Sequence, residues 1–187
     1  MRSKAIIMLA GALALAACGQ KNDAANSDLN VATDNGAASN SSAEASPLTS
    51  QGFANAAAAS DRFEIESSKL AAGSAQSASV KSFAAKMITA HTASTAKLKA
   101  AAAGLSPTIT PDDTLSSDQQ QKLDNLKGLH GAAFDTAYAS AQVNAHQAAL
   151  DALNGYSASG DNPTLKDLAK GMVATVTAHL NMAKSLK

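Results

Sequence analysis

The sequence predicts an all-α protein in which a four-helix bundle follows a disordered N-terminal tether. Alanine supplies much of the 45% hydrophobic content, and aromatic residues make up only 3% of the 187 residues. Alanine is the best helix former, whereas the β-branched and aromatic residues that favour strands are sparse. From about residue 50 onward, apolar residues recur at alternating spacings of three and four, which is the period of an amphipathic helix.

Residues 1–17 have the pattern of a bacterial lipoprotein signal peptide. Arg2 and Lys4 precede an apolar run of about 13 residues, which is too short to span a bilayer comfortably and is typical of a signal peptide. The run ends in the letters LAACG, which resemble the lipobox, where the peptide is cut before the cysteine and the thiol is diacylated. This pattern predicts lipidation of Cys18. The alternative is an ordinary secretory signal with a chance cysteine.

Cys18 is the single cysteine of the chain, which excludes an intrachain disulfide. A lone thiol is unusual in an oxidising compartment, and lipidation would consume it. The residue after it is Gly19 rather than Asp, which resembles the sorting signal for the outer membrane in enteric bacteria. We therefore expect a protein of the cell envelope, anchored by lipid in the outer membrane and facing the periplasm, with the membrane as its partner.

Residues 18–49 are predicted to be a disordered linker that starts at the lipidated cysteine. Asn, Ser, Ala, Asp and Gly dominate it, so it offers too little apolar surface to offset the entropy of ordering. A flexible chain of about 30 residues has a root-mean-square reach of roughly 30 Å. Without the signal peptide the chain has 13 basic and 15 acidic residues. This balance excludes the electrostatic footprint of a nucleic-acid-binding protein.

The domain over residues 50–187 begins with two predicted helices, at about 50–73 and 78–103. Gly73 marks the end of the first, and Gly104 followed by Pro107 ends the second. Each carries an inward stripe at spacings of three and four. The stripe of the first helix is Phe53, Ala57, Ser60, Glu64, Ser67 and Ala71, and that of the second is Val80, Ala84, Met87, His91, Ser94, Leu98 and Ala101.

The second half of the domain predicts a short helix near 116–127 and two long helices. The first long helix is expected at about 132–155, closed by Asn154-Gly155. The last opens with Asn162 as a polar cap and Pro163 in the first turn. Its stripe is Leu165, Leu168, Met172, Thr175, His179, Met182 and Leu186. Four long helices with such stripes indicate a four-helix bundle.

Each of the four long helices offers one metal-ligand type of side chain toward the core: Glu64, His91, His146 and His179. If the linker 104–117 runs the length of the bundle, all four lie in its middle third. Three imidazoles and one carboxylate are a suitable ligand set for a single Zn, Cu or Fe ion. The sequence therefore predicts a metal site at these four residues.

Two further observations bear on that site. Met87 and Met182 stand on the same helix faces as His91 and His179, which would suit Cu(I). Against a metal, the inward polar residues could instead hydrogen-bond to one another and fix the register of the helices. Both interpretations remain open at the level of sequence. His130, between two glycines, is predicted to lie at the surface.

Several other functions leave no trace in the sequence. The ferritin di-iron site needs Glu three residues before an inward histidine on two helices. Here those positions hold Ile88, Val143 and Val176, which argues against iron storage. A Gly-rich phosphate loop, a Cys-x-x-Cys motif and a Gly-x-Ser-x-Gly motif are all absent from the chain. We predict no catalytic or organic-cofactor residues, and the sequence leans away from an enzyme.

Four segments resemble a bacterial family, domain of unknown function 4142, whose members are exported or outer-membrane proteins with a ferritin-like helical bundle. They are FANAAAASDRFEIESSKLA at 53–71, VKSFAAKMITAH at 80–91, GAAFDTAYASAQVNAH at 131–146, and residues 165–183. The resemblance implies a ferritin-like fold and gives no reaction, because the activity of the family is not established. The positions that it points to are Glu64, His91, Asp135, His146 and His179.

The resemblance makes Asp135 a candidate for a carboxylate that supports the site. One position departs from the family pattern: where the family usually has Asp before the histidine of the second helix, this chain has Ala90. If that Asp orients the imidazole, its loss weakens the site. Three functions are consistent with the sequence: an envelope lipoprotein that binds a metal or a protein partner, a metal-dependent redox or stress-protection enzyme, and a purely structural envelope module.

Overall fold

The computed structural model describes residues 48–186. The predicted signal peptide, Cys18 and the linker as far as residue 47 lie outside the described residues. Five helices make up the described part: α1 (Ser50–Ser74), α2 (Ala78–Ala103), α3 (Ser117–Lys127), α4 (Gly131–Ser159) and α5 (Pro163–Lys184). An isolated bridge between Ala75 and Gly131 is the only β pairing among residues 48–186. The predicted all-α class is confirmed, with four long helices and a short one.

The long helices form two hairpins, α1 with α2 and α4 with α5, each closed by a three-residue turn. The predicted cap of α5 is present, because the Asn162 side chain accepts a hydrogen bond from the Leu165 N–H and Pro163 occupies the first turn. Thr49 caps α1 in the same way through the Gly52 N–H. None of the described helices is long and apolar enough to cross a membrane.

The segment between the hairpins runs the length of the bundle. It begins beside the end of α2, where the Ile109 N–H donates to the Ala102 carbonyl. It then contacts α1, where Arg62 pairs with Asp113. The short helix α3 packs Leu123 and its neighbour Leu126 near the other end of α1 and α2. As a result α2 and α4 start at the same end of the bundle and run parallel, which is the crossover arrangement considered for the linker 104–117.

Helix α4 is longer than the sequence predicts. The end expected at Asn154-Gly155 is wrong, because the helix continues to Ser159. Gly155 costs about 1 kcal/mol in a helix interior. The next residue, Tyr156, is 1% exposed and stacks on Phe53 of α1 with ring centroids 4.1 Å apart. Burial of this aromatic pair outweighs the cost of the glycine.

The core consists of apolar clusters toward the two ends of the bundle with polar side chains between them. One cluster holds Phe63, Val80, Met87, Phe134 and Tyr138, among others, and a second is built around Phe53, Leu153, Tyr156, Leu165 and Val176. A third, smaller cluster holds Ala54, Ala58 and Leu98. We call the buried residues between them the polar layer: Asp61, Glu64, His91, Gln142, His146 and His179. The fold thus places every predicted metal ligand in one layer.

Candidate metal centre

Three histidines converge in the polar layer from three different helices. His91 comes from α2, His146 from α4 and His179 from α5, and each offers a ring nitrogen within 4.8 Å of those of the other two. The ring centroids are 5.5–5.7 Å apart. Because a Zn or Cu ion binds imidazole nitrogen at about 2.0–2.1 Å, small side-chain rotations would bring all three nitrogens onto one ion.

Each of the three histidines has one buried ring nitrogen without a hydrogen-bond partner. Nε2 of His91, Nε2 of His146 and Nδ1 of His179 are buried and unpaired, as are both carboxylate oxygens of Glu64. The remaining unpaired buried side-chain atoms among residues 48–186 are Oγ of Ser94 and Oε1 of Gln142, one helical turn from His91 and His146 respectively. Unpaired buried polar atoms are rare and costly in folded proteins. All of them lie in the polar layer or within one helical turn of it.

Two of the three imidazoles are held by hydrogen bonds on the side away from the cluster. Nδ1 of His91 lies 2.7 Å from Oδ1 of Asp61 on α1 and donates to that carboxylate. Nδ1 of His146 donates to the backbone carbonyl of Gln142 at 2.8 Å. In His146, and in the neutral form of His91, the proton therefore sits on Nδ1 and Nε2 keeps its lone pair, which is the tautomer that a metal ion needs.

Burial keeps two of the imidazoles neutral. It lowers the pKa of His146 to about 4, with a further lowering by the nearby His91 and His179. Burial and the proximity of His91 also lower the pKa of His179 to about 4. For His91 burial acts in the same direction, but the hydrogen bond to Asp61 and the charges of Glu64 and Asp61 outweigh it and raise the pKa. His146 and His179 are therefore ready to coordinate a metal at neutral pH without first losing a proton.

Glu64 lies in the polar layer but outside the set of mutually close ligand atoms. Glu64 is 1% exposed, and its Oε1 is 3.7 Å from Nδ1 of His146, the ring nitrogen that donates to the Gln142 carbonyl. Burial raises the pKa of Glu64 to about 7, against the opposing effects of the charge on His91 and of hydrogen bonding with the Gln142 side chain. Between about pH 4 and 7 the Glu64–His146 contact therefore joins two neutral groups. Of the four predicted ligands, the structure brings the three histidines together and places Glu64 beside them.

Asp135 has a structural position away from the histidines. Its two carboxylate oxygens accept hydrogen bonds from the backbone N–H groups of Gln76 and Ser77, at 3.2 and 2.8 Å. They thereby cap the start of α2, whose own N-cap residue makes no side-chain cap. His146 is 11 residues further along α4, about 16 Å at the rise of an α-helix. The expectation that Asp135 supports the metal site is wrong on this geometry.

The remaining sequence candidates also have clear positions. Met87 is fully buried in the apolar cluster next to the polar layer, and Met182 packs against the same cluster. His130 is exposed at the start of α4, as predicted.

Asp61 is the residue of the polar layer that the sequence reasoning missed. It is 3% exposed and contacts His91, and the hydroxyl of Thr95 lies 3.1 Å from its other oxygen. The sequence does contain one indication of its role: Asp61 stands three residues before Glu64, and this spacing puts both carboxylates on adjoining parts of one helix surface. The stripe at spacings of three and four passes through Glu64 and leaves Asp61 beside it, so periodicity alone gave Asp61 the appearance of a surface residue.

Fold and site together define a helical-bundle domain with a buried three-histidine cluster. The family model for domain of unknown function DUF4142 matches residues 35–186, and the chain belongs to this family. A comparison with curated proteins finds no match. Among solved structures, the chain is similar in fold to one described as CopM in the Cu(II)-bound form, with a TM-score of 0.61 and 16% sequence identity. The similarity covers 73% of this chain and 93% of that one.

Proposed function

We propose that the helical domain binds a single transition-metal ion through His91, His146 and His179. Two observations carry the proposal: each of the three histidines brings one ring nitrogen within 4.8 Å of the other two, and each has one buried ring nitrogen without a hydrogen-bond partner. If these residues only fixed the register of the helices, they would be expected to hydrogen-bond to one another or to their neighbours. Instead, His91 and His146 form their hydrogen bonds on the outer side of the ring, and the inner side is left open.

Copper is the ion that we favour. Imidazole suits Zn, Cu and Fe, and Cu(II) binds a given nitrogen site more tightly than the other divalent ions of the first transition row. The fold is also similar to that of CopM, which is described in a Cu(II)-bound form. Iron and zinc remain outcomes of the test below.

Burial favours binding over catalysis. His146 is 1% exposed, and His91 and His179 are 7% and 8% exposed. An ion held by all three would be enclosed by the helices, whereas a catalytic metal keeps a position open to substrate. We therefore place the domain among metal-binding envelope proteins rather than among metal-dependent redox enzymes.

Elemental analysis tests this proposal directly. We expect the purified full-length chain, without a polyhistidine tag, to retain about one copper ion per protein after reconstitution and desalting. His146→Ala removes the most deeply buried ligand and should abolish that retention. His130→Ala is the matched control, because it removes an exposed histidine next to the same helix and should leave the ratio unchanged. Equal retention of copper by His146→Ala and the wild type would refute the site.

We further propose that Cys18 is lipidated and anchors this domain in the cell envelope through the linker. The support is the sequence pattern at residues 1–19 together with the lack of any other cysteine. When cells that express the wild-type protein are grown with labelled palmitate, the protein should carry the label. It should also be found in the membrane fraction. Cys18→Ala should carry no label. Equal labelling of both proteins, or of neither, would contradict lipidation at this residue.

A further inference from the structure

We propose that Asp61 is the positioning residue of the metal centre: its carboxylate orients the imidazole of His91 for coordination through Nε2 and strengthens that nitrogen as a ligand. This inference rests on the proposed metal binding and adds to it a residue on α1, a helix that contributes none of the three converging histidines. It also distinguishes two of the three ligands by the group that holds them. His91 is supported by an anion, and His146 by a neutral backbone carbonyl.

The geometry of the Asp61–His91 contact carries the proposal. Oδ1 of Asp61 is 2.7 Å from Nδ1 of His91, at the short end of the range for a charge-assisted hydrogen bond. The hydroxyl of Thr95, one turn further along α2, lies within 3.1 Å of Oδ2. Both carboxylate oxygens of Asp61 therefore face α2. The hydrogen bond to Nδ1 fixes the orientation of the His91 ring as well as its distance from α1.

The buried carboxylate of Asp61 would compensate part of the charge of a metal ion bound at the histidines. Burying an ion is expensive unless it is paired, and Asp61 is 3% exposed. Three neutral imidazoles leave the whole charge of a divalent ion uncompensated. A carboxylate that accepts the Nδ1 proton of a ligating histidine places negative charge next to the ion and increases the basicity of Nε2.

The same contact accounts for the departure from the family pattern at Ala90. The sequence resemblance associated an aspartate at that position with support of the neighbouring histidine. In this chain the carboxylate that contacts His91 comes instead from α1, across the hairpin. We infer that Asp61 provides here the support that the residue before His91 does not.

Metal titration of Asp61→Asn, with wild-type full-length protein alongside, tests this role. Asparagine keeps the size of the side chain and removes its charge. We expect the affinity for Cu(II), measured by competition with a chelator, to fall by about 10–100-fold while the stoichiometry stays at one ion. Asp151→Asn, on the exposed surface of α4, is the matched control and should bind as the wild type does.

A second measurement separates positioning from general support of the fold. In the metal-free protein, long-range proton–nitrogen NMR should show His91 as the Nδ1–H tautomer. In Asp61→Asn this preference should weaken, and that change is not expected if Asp61 only stabilises the helices. Thr95→Val, which removes a hydroxyl shared between the Asp61 carboxylate and the His91 carbonyl, should give a smaller loss of affinity for Cu(II) than Asp61→Asn.

The outcomes are distinct. If the wild type binds copper while Asp61→Asn binds it equally well with an unchanged His91 tautomer, the role of Asp61 is refuted and the metal site stands. If His91 of the metal-free wild type, measured at a pH above its raised pKa, is not the Nδ1–H tautomer, the role of Asp61 is likewise refuted, whether or not Asp61→Asn folds. If the wild type binds no metal, the proposed function is refuted and this inference with it.

Discussion

Saturation with copper is expected to raise the melting temperature of the wild-type protein by about 10 °C. A ligand present at about 1,000 times its dissociation constant stabilises the folded state by about 4 kcal/mol, and for a domain of this size each kcal/mol shifts the midpoint by roughly 3 °C. The gain comes from filling a layer in which three imidazole nitrogens are buried without partners. Circular dichroism at increasing free copper concentration, set by a buffer, measures the shift.

Two variants serve as controls for this result. His146→Ala should show little or no shift, because the most buried ligand is missing. His130→Ala should behave as the wild type does, since it removes a histidine that is exposed. A shift of the same size in His146→Ala would mean that copper stabilises the protein at some other place.

Replacement of Glu64 by Gln is expected to make the metal-free protein more stable at pH 8, by roughly 3 kcal/mol, and to have little effect at pH 4.5. The figure follows from a pKa of about 7 in the folded state against 4.5 in the unfolded chain. Since the folded pKa is the higher one, the folded state holds the proton more tightly. The wild type therefore loses stability as pH rises from about 4.5 to about 7, and Glu64→Gln does not.

Urea unfolding with a chelator present, at several pH values between 4.5 and 8, measures this difference. The lowered pKa values of His146 and His179 produce the opposite trend, a loss of stability as pH falls from about 6.5 to about 4. That trend is common to both proteins and cancels in the difference. Glu66→Gln is the matched control, because Glu66 lies on the same helix in an exposed pair with Arg62. A constant difference across the pH range would contradict the raised pKa of the buried Glu64.

The sequence carried enough information for the helices and for the histidines, because both depend on periodicity. Residues at spacings of three and four share one side of a helix, and this rule placed His91, His146 and His179 in the core. It could not show which neighbour an inward side chain contacts, since that depends on how each helix is rotated and offset. For this reason Glu64 was expected among the ligands and lies beside His146 instead.

Two other differences have separate physical causes. Asp61 was missed because an acidic residue next to a stripe resembles a surface residue until its partner across the hairpin is known. The early end predicted for α4 at Gly155 followed local propensity, whereas the burial of Tyr156 against Phe53 depends on a contact about 100 residues away in sequence. In both cases a long-range partner determines the outcome.

The crossover between the hairpins has a consequence for when the chain becomes able to hold a metal. The first hairpin supplies only His91, and the other two ligands arrive with α4 and α5, after the linker and α3 have been laid along the bundle. A chain cut after α2 would offer a single one of the three imidazoles. The three-histidine cluster therefore requires the complete helical domain, and on the proposed function retention of metal would report that the last helix has docked.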